Sequence, residues 1–424
     1  MAMNPKGFTL RMIHKDSEES PFFNPLDHLI TQDERFQTLI DQSRARARHI
    51  ASKIDPDIDV PVVYDEGTFY YAAHVRIGTF PDIQPPFMNY YFLIDSGSDL
   101  TWLQCEGATQ FFNQDSPLYP WNNSQSYIPA GCQDPSPGCD RCDGYGQCVY
   151  TLSYGSSQVT SGVIAKENFT FTGGHETIQL LMGCGLRQAN FTMGDNGSKG
   201  KPDLIAGIIG LGRGPRSFVT QLGPRGGKFS YCFEKYSGGN TYLNFGADAT
   251  IGGQVRTTPM VRTNFVTSYY YLNLVGISVG GDRVPIPSSE FEINQDDQTS
   301  GCIIDSGAPW TTMYRNIFDR VAQSVEDYFL SNNGMRRAGF TGSWVCFIPI
   351  LGKEYTKPII IFHFEQADYV VSETWFERQG NICLAMVSSD SNTPAVLLGA
   401  FQQVNKRILY DNMDMSLSFV DENC

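Results

Sequence analysis

The tripeptide Asp-Ser-Gly occurs twice in this 424-residue chain, as Asp95-Ser96-Gly97 and as Asp305-Ser306-Gly307, and each copy ends a run of strand character. The first run, Asn89-Tyr90-Tyr91-Phe92-Leu93-Ile94, is alternating and aromatic-rich; the second, Gly301-Cys302-Ile303-Ile304, ends in the same kind of aliphatic pair. A strand that stops in Asp-Ser-Gly leaves the aspartate at the mouth of a tight turn that the glycine permits. A small residue follows each time, Ser98 and Ala308. One copy arises easily by chance in a chain of this length. Two copies with matched strands, one in each half, point to two related lobes that bring two carboxylates face to face. Two unrelated strand-end turns are the plainer reading, and the matched context weighs against it.

Two carboxylates a hydrogen bond apart cannot both ionise in acid or at neutral pH, so they share one proton. One is then a base able to activate water, and the other is an acid able to protonate a carbonyl oxygen. Such a pair hydrolyses a peptide bond with neither a nucleophilic side chain nor a metal.

Glycine and proline number 41 and 23, and 41% of the residues are apolar, a balance that favours a turn-rich, mainly β protein of two to three domains. A net charge of −14 argues against nucleic acid and anionic membranes as partners, and it is compatible with work in acid. No apolar run is long enough to span a bilayer. Eleven cysteines suggest an oxidising compartment, and four glycosylation sequons, at Asn122, Asn168, Asn190 and Asn196, agree. Met1-Ala2-Met3-Asn4-Pro5-Lys6 is not followed by the apolar core of a signal peptide. The expectation of a secreted or vacuolar protein therefore rests on cysteines and sequons, with the signal removed or outside this sequence. Six histidines are scattered without ligand spacing.

The first 60 or so residues differ in texture from the rest, with no cysteine and little β-branched alternation. Asp33 to Lys53 reads as a helix with a basic end, Arg44-Ala45-Arg46-Ala47-Arg48-His49. It is either a solvated amino-terminal helix or a propeptide whose cations cover an acidic cleft. The acidic stretch Asp55-Pro56-Asp57-Ile58-Asp59-Val60-Pro61 reads as an exposed linker suited to cleavage.

From Tyr64 the pattern turns to strands, and here a resemblance enters. The run from Phe69 to Cys105 resembles the start of a mature pepsin-like aspartic protease, and Asp99-Leu100-Thr101-Trp102-Leu103-Gln104-Cys105 is similar to the plant nepenthesin-like branch. Gly7 to Ser17 resembles the start of the prosegment in that branch. The likeness covers nearly the whole chain. It implies an all-β (mainly) bilobal pepsin-like fold with a few short helices. The organisation expected is a propeptide over 1–63, an amino-terminal lobe over 64–255 and a carboxy-terminal lobe over 256–424.

The family places a mobile flap at the hairpin Val149 to Gly162, with Tyr154 and Gly155 at the substrate and Trp102 hydrogen-bonding the flap tyrosine. A structural tyrosine and a core tryptophan are the readings without the resemblance. The family flap is usually Tyr-Gly-Asp-Gly-Ser, and Ser156-Ser157-Gln158 depart from it. Leu204 to Gly212 and Ala395 to Phe401 are apolar runs carrying glycine; in the family one such segment crosses behind each catalytic loop, whereas otherwise each is a buried strand. Ile317 to Leu330 reads as a helix.

Cys139-x-x-Cys142 has zinc-like spacing, but only one close pair is present, so a stapled insertion fits better. Nested disulfides, Cys132–Cys148 outside and Cys139–Cys142 inside, suit the insertion this branch carries before its flap. The resemblance further implies Cys346–Cys383 and Cys232–Cys424. Cys105–Cys184 is the remaining pair, and Cys302 is the odd thiol.

The expected activity is that of an aspartic endopeptidase made as a zymogen, with Asp95 and Asp305 holding the lytic water. Ser96, Gly97, Ser98, Ser306 and Gly307 support the loops. The partners expected are a peptide or protein substrate, with apolar residues at the scissile bond, and the chain's own propeptide. No cofactor or metal is implied, and the chain is expected to be a monomer. Ala308 stands where the family usually has Ser or Thr, whose hydroxyl bonds the aspartate, so a pH optimum less acidic than in such relatives is expected. Pro309-Trp310 is also atypical beside the dyad. The alternative is a protease-shaped binding protein resembling plant xylanase inhibitors, which lack proteolysis. Loss of an aspartate or a loop glycine would mark it, and all four are present. A redox or zinc protein built on Cys139-x-x-Cys142 is more distant.

Overall fold

The computed structural model describes residues 7–14, 40, 43–44 and 46–47. From residue 71 onward it describes all but 135–138, 140, 155–157, 172–176, 192–201, 235–240, 333, 339–344, 379 and 390–393. Gly155, Asn196 and the linker at 55–61 lie outside these residues.

The protein is mainly β. Strand β1 (Phe8–His14) pairs antiparallel with β2 (Tyr71–Ile77), which pairs antiparallel with β3 (Met88–Asp95). β2 alternates buried Ala73, Val75 and Ile77 with half-buried His74 and Arg76, the period-two signature of a strand with one face in the core. β3 is continuously buried over its last four residues, as a strand covered on both faces must be.

The duplication read in the sequence is a duplication of topology. In the first half β3 pairs in parallel with Ile205–Gly210, which pairs antiparallel with β4 (Trp102–Gln104). In the second half Cys302–Ile304 pairs in parallel with Val396–Leu398, which pairs antiparallel with Thr311–Tyr314. β4 then runs parallel to Thr177–Ala189, and Thr311–Tyr314 runs parallel to Met386–Ser389. The two apolar runs with glycine are thus the strands behind the two Asp-Ser-Gly turns. Gly207 explains itself: a Cβ there would sit 1.9 Å from the Trp102 carbonyl oxygen of the neighbouring strand.

The helix read at Ile317 to Leu330 spans Arg315–Ser331 and buries Ile317, Phe318, Val321, Ala322, Val325 and Phe329, one apolar stripe against the second lobe. Among the described residues no helix is long and apolar enough to cross a membrane.

Five disulfides are present, Cys105–Cys184, Cys232–Cys424 and Cys346–Cys383 as expected. The nested pairing of the insertion is corrected: Cys132 joins Cys142 and Cys139 joins Cys148. Arg141–Cys142 is extended and pairs with Cys148–Tyr154. Cys132 and Cys142 lie 5.9 Å apart at Cα and Cys139 and Cys148 5.5 Å, both within the reach of a disulfide. The sulfurs of Cys132, Cys139 and Cys142 lie within 4.8 Å of one another, the proximity that the zinc reading required, and all are spent in disulfides. Cys302 is a free, buried thiol. Asn122 and Asn190 are exposed, whereas Asn168 is half-buried in a strand with its Nδ2 donating to Thr79 Oγ1 at 3.2 Å.

Candidate active site

The strand pairing sets the two turns mouth to mouth. Asp95 and Asp305 are buried, 1% and 0% exposed. The loops are tied by reciprocal bonds: the Ser96 amide donates to Ser306 Oγ and the Ser306 amide donates to Ser96 Oγ, both at 2.9 Å. Ser306 Oγ also donates to the Ile94 carbonyl at 3.0 Å. Neither serine is free to be a nucleophile; each is a strut between lobes.

The glycines admit the opposite carboxylate. A Cβ on Gly97 would lie 2.6 Å from Asp305 Oδ2, and one on Gly307 would lie 2.3 Å from Asp95 Oδ1. Their amides donate inward, Gly97 to Asp95 Oδ1 at 3.0 Å and Gly307 to Asp305 Oδ1 at 2.8 Å.

The two sides then differ. Ser98 Oγ donates to Asp95 Oδ2. At the matching place Ala308 is fully buried, packed with Tyr269, Tyr271, Ile303 and Leu397, and offers no hydroxyl. Burial pushes the Asp305 carboxyl above the ordinary carboxylate range, and the Asp95 charge pushes the same way; a neighbouring guanidinium and the Gly307 amide oppose them.

That guanidinium is Arg46. Its Nε donates to Asp305 Oδ2 at 2.8 Å and its Nη2 to Asp95 Oδ1 at 2.5 Å, so one cation bridges both carboxylates. Its burial alone would lower its pKa, but the two carboxylates override this and it stays charged. Ile40, Ser43, Arg44, Arg46 and Ala47 are helical. Ile40 is buried with Trp310, Phe376 and Phe401; Ser43 Oγ accepts from the Trp310 amide at 2.7 Å; Arg44 Nε donates to the Ser388 carbonyl at 2.7 Å; Ala47 packs against Ala308 and Tyr269. Arg44 and Arg46 of the basic run are therefore held against the body of the protein.

Trp102 Nε1 donates to Tyr154 Oη at 2.7 Å, the bond that the resemblance implied. Tyr154 stands over the site, its ring centroid 6.0 Å from the Arg46 guanidinium carbon. Burial, then the Asp95 charge, keeps its phenol protonated. Two supports were not legible in the sequence. Fully buried Gln403 donates from Nε2 to the Asp305 carbonyl at 3.3 Å and to the Leu398 carbonyl at 2.9 Å, bracing the second loop from behind. Asp99 accepts from the Gly214 amide at 2.9 Å and from the Ser268 hydroxyl, joining the first loop to the chain entering the second lobe.

Residues 71–247 match a family described as xylanase inhibitor N-terminal, and residues 269–421 match xylanase inhibitor C-terminal. The chain is 34% identical to aspartic proteinase nepenthesin-2 of Nepenthes gracilis, over 93% of this chain and 87% of that one. It is 30% identical to nepenthesin-1 of the same plant, over 99% and 90%. Basic 7S globulin from soybean has the same fold, with a TM-score of 0.63 at 17% identity over 84% of this chain and 94% of that one. By sequence and fold, then, the chain belongs to the nepenthesin-like family of plant aspartic proteinases.

Proposed function

We propose that this protein is an aspartic endopeptidase made as a zymogen, secreted or delivered to a vacuole, that cleaves peptide bonds in mild acid. The observation that carries the reading is the dyad: two buried carboxylates on loops tied by reciprocal serine bonds, close enough to share one guanidinium. Once Arg46 leaves, the same pair must share a proton. Among the described residues Asp95 keeps the Ser98 hydroxyl and the Gly97 amide as donors, while Asp305 keeps the Gly307 amide alone. The shared proton therefore favours Asp305, the acid toward the scissile carbonyl, and Asp95 is the base toward water. The substrate is an extended peptide added along the cleft under Tyr154, with apolar side chains at the scissile bond. Five disulfides favour an oxidising compartment. Both aspartates and both loop glycines being in place, the inhibitor-like alternative is not favoured.

Latency follows from charge. Arg46 lowers the Asp305 pKa, so the state with Arg46 released binds more protons than the state with Arg46 seated. By linkage, falling pH favours release.

The test is digestion of a denatured protein by the acid-treated chain from about pH 2 to 7, with and without pepstatin. Pepstatin-sensitive cleavage with an acid optimum is the expected result; no cleavage at any pH after the propeptide has been removed overturns the reading. In the same assay Ala308→Thr restores a hydroxyl beside Asp305 and moves the optimum toward acid by about one pH unit or less. An unchanged pH–rate profile would remove Ala308 as its cause.

A further inference from the structure

Ile40 lies on the same helical stretch as Arg46 and is fully buried, in one cluster with Trp310, Phe376, Phe401 and the Cys346–Cys383 disulfide of the second lobe. The Trp310 ring is flanked by Phe376 at 5.1 Å and by Phe401 at 6.0 Å between centroids. Further along, Ala47 packs in the cluster of Ala308, three residues past Asp305. Ile40 and Ala47 are about two turns apart, roughly 10 Å, which is the length of about three residues of extended chain. Between them Ser43 Oγ accepts from the Trp310 amide at 2.7 Å. The helix thus covers an apolar pocket, a backbone donor and the floor beside Asp305, all in one line.

We infer that the pocket holding Ile40 is a specificity subsite, and that it takes an aliphatic side chain of the protein substrate about three residues from the scissile bond. The inference rests on the peptidase reading above, in which the helix leaves with Arg46. Once the helix is gone the Trp310 amide has lost Ser43, and a backbone donor in an enclosed cleft needs another acceptor. A carbonyl of an extended substrate supplies one, and the bond sets the register that lets a side chain enter between the rings. The pocket encloses an isoleucine completely, so its size suits Ile or Leu. Alanine would leave part of it unfilled, and an acidic side chain would give up its water to meet the negative faces of aromatic rings. Trp310, atypical beside the dyad, acquires a role as the central wall of this pocket. On the plainer alternative Ile40 only anchors the helix, and no distal substrate position shows a preference.

The experiment uses the acid-activated chain and peptides cut at one bond, with Ile, Ala and Asp exchanged at each position out to about five residues on either side. Expected is one position, about three residues from the bond, where Ile exceeds Ala about tenfold in kcat/KM and Asp falls below Ala. Phe376 lies on Trp375–Arg378, a strand at the edge of its sheet. Phe376→Ala should bring the Ile-to-Ala ratio at that position to about twofold or less, and Phe376→Leu, a second variant should the first not fold, should lower it in part. The ratio is internal to each variant, so a general loss of activity does not imitate it. Equal rates for Ile and Ala at every distal position, or an unchanged ratio in a folded Phe376 variant, overturns the inference. An Asp95→Asn full chain, cut by an added protease at a site inserted within 55–61 and acidified, should bind the labelled Ile peptide about tenfold more tightly than the Ala peptide and cleave neither. A wild-type chain that keeps this binding ratio but cuts nothing fails the protease reading, whereas one that cuts without the ratio fails this inference.

Discussion

Asparagine at position 95 should abolish cleavage in the mature chain, lowering kcat/KM about a thousandfold or more, the scale of a lost general base in a concerted acid–base step. The amide is isosteric with the carboxylate, so the Gly97 and Ser98 donors and the reciprocal serine bonds keep a partner or are untouched. What disappears is the ability to take a proton from water. Asp305→Asn removes the acid instead and should be comparably severe. The double variant should be little worse than either single one, because the two act as a unit. Single-peptide kinetics with near-ultraviolet circular dichroism would check this. Asp95→Asn protein that folds normally and keeps a tenth of its activity would show that the dyad is not the catalytic centre.

Arg46→Gln should abolish latency. A buried charge network that loses one member is destabilised by roughly 3–5 kcal/mol, which would shift the opening of the proposed propeptide by about 10²- to 10⁴-fold. The effect should fall at the lower end, because the exposed carboxylates relieve themselves by sharing a proton. In progress curves at about pH 6 the wild-type chain should show a lag that the variant lacks. Arg46→Lys should restore latency only in part, since an ammonium is a point charge and does not reproduce the fork that spans both carboxylates. A lag of equal length in Arg46→Gln would mean that the Ile40, Ser43 and Arg44 contacts alone keep the cleft closed.

Much of this was legible in the sequence, for physical reasons. The Asp-Ser-Gly turns are local: the strand that delivers the aspartate and the glycine that admits its partner are adjacent in the chain, so both lobes announced themselves. The mainly β class followed from composition and the bilobal fold from the resemblance, and the helix read at Ile317 to Leu330 needed one to two residues more at each end. Arg46 was less accessible. Arg44, Arg46 and Arg48 are equivalent as a charge run, and which of them meets the dyad depends on how the helix face carrying Ile40, Ser43 and Ala47 seats on the second lobe. The disulfides of the insertion were misread because four cysteines within seventeen residues allow three pairings, and spacing alone does not distinguish them. Gln403 gives no signal at all, since a buried amide bracing a carbonyl leaves no pattern in composition or spacing.

Two of the disulfides have a consequence for the peptidase proposed above. Cys105–Cys184 closes a covalent ring that contains the insertion and the hairpin bearing Tyr154, and Cys232–Cys424 closes another that contains all of the second half, Asp305 included. A single nick anywhere inside either ring leaves both new ends tethered to the same body, so self-digestion must cut a ring twice before a piece can leave. The larger ring, with its ends 192 residues apart, also removes about 5 kcal/mol of freedom from the unfolded chain. A mature chain nicked only inside these rings should therefore run as one band without reductant and as several bands with it, and lose activity when reduced rather than when first cut.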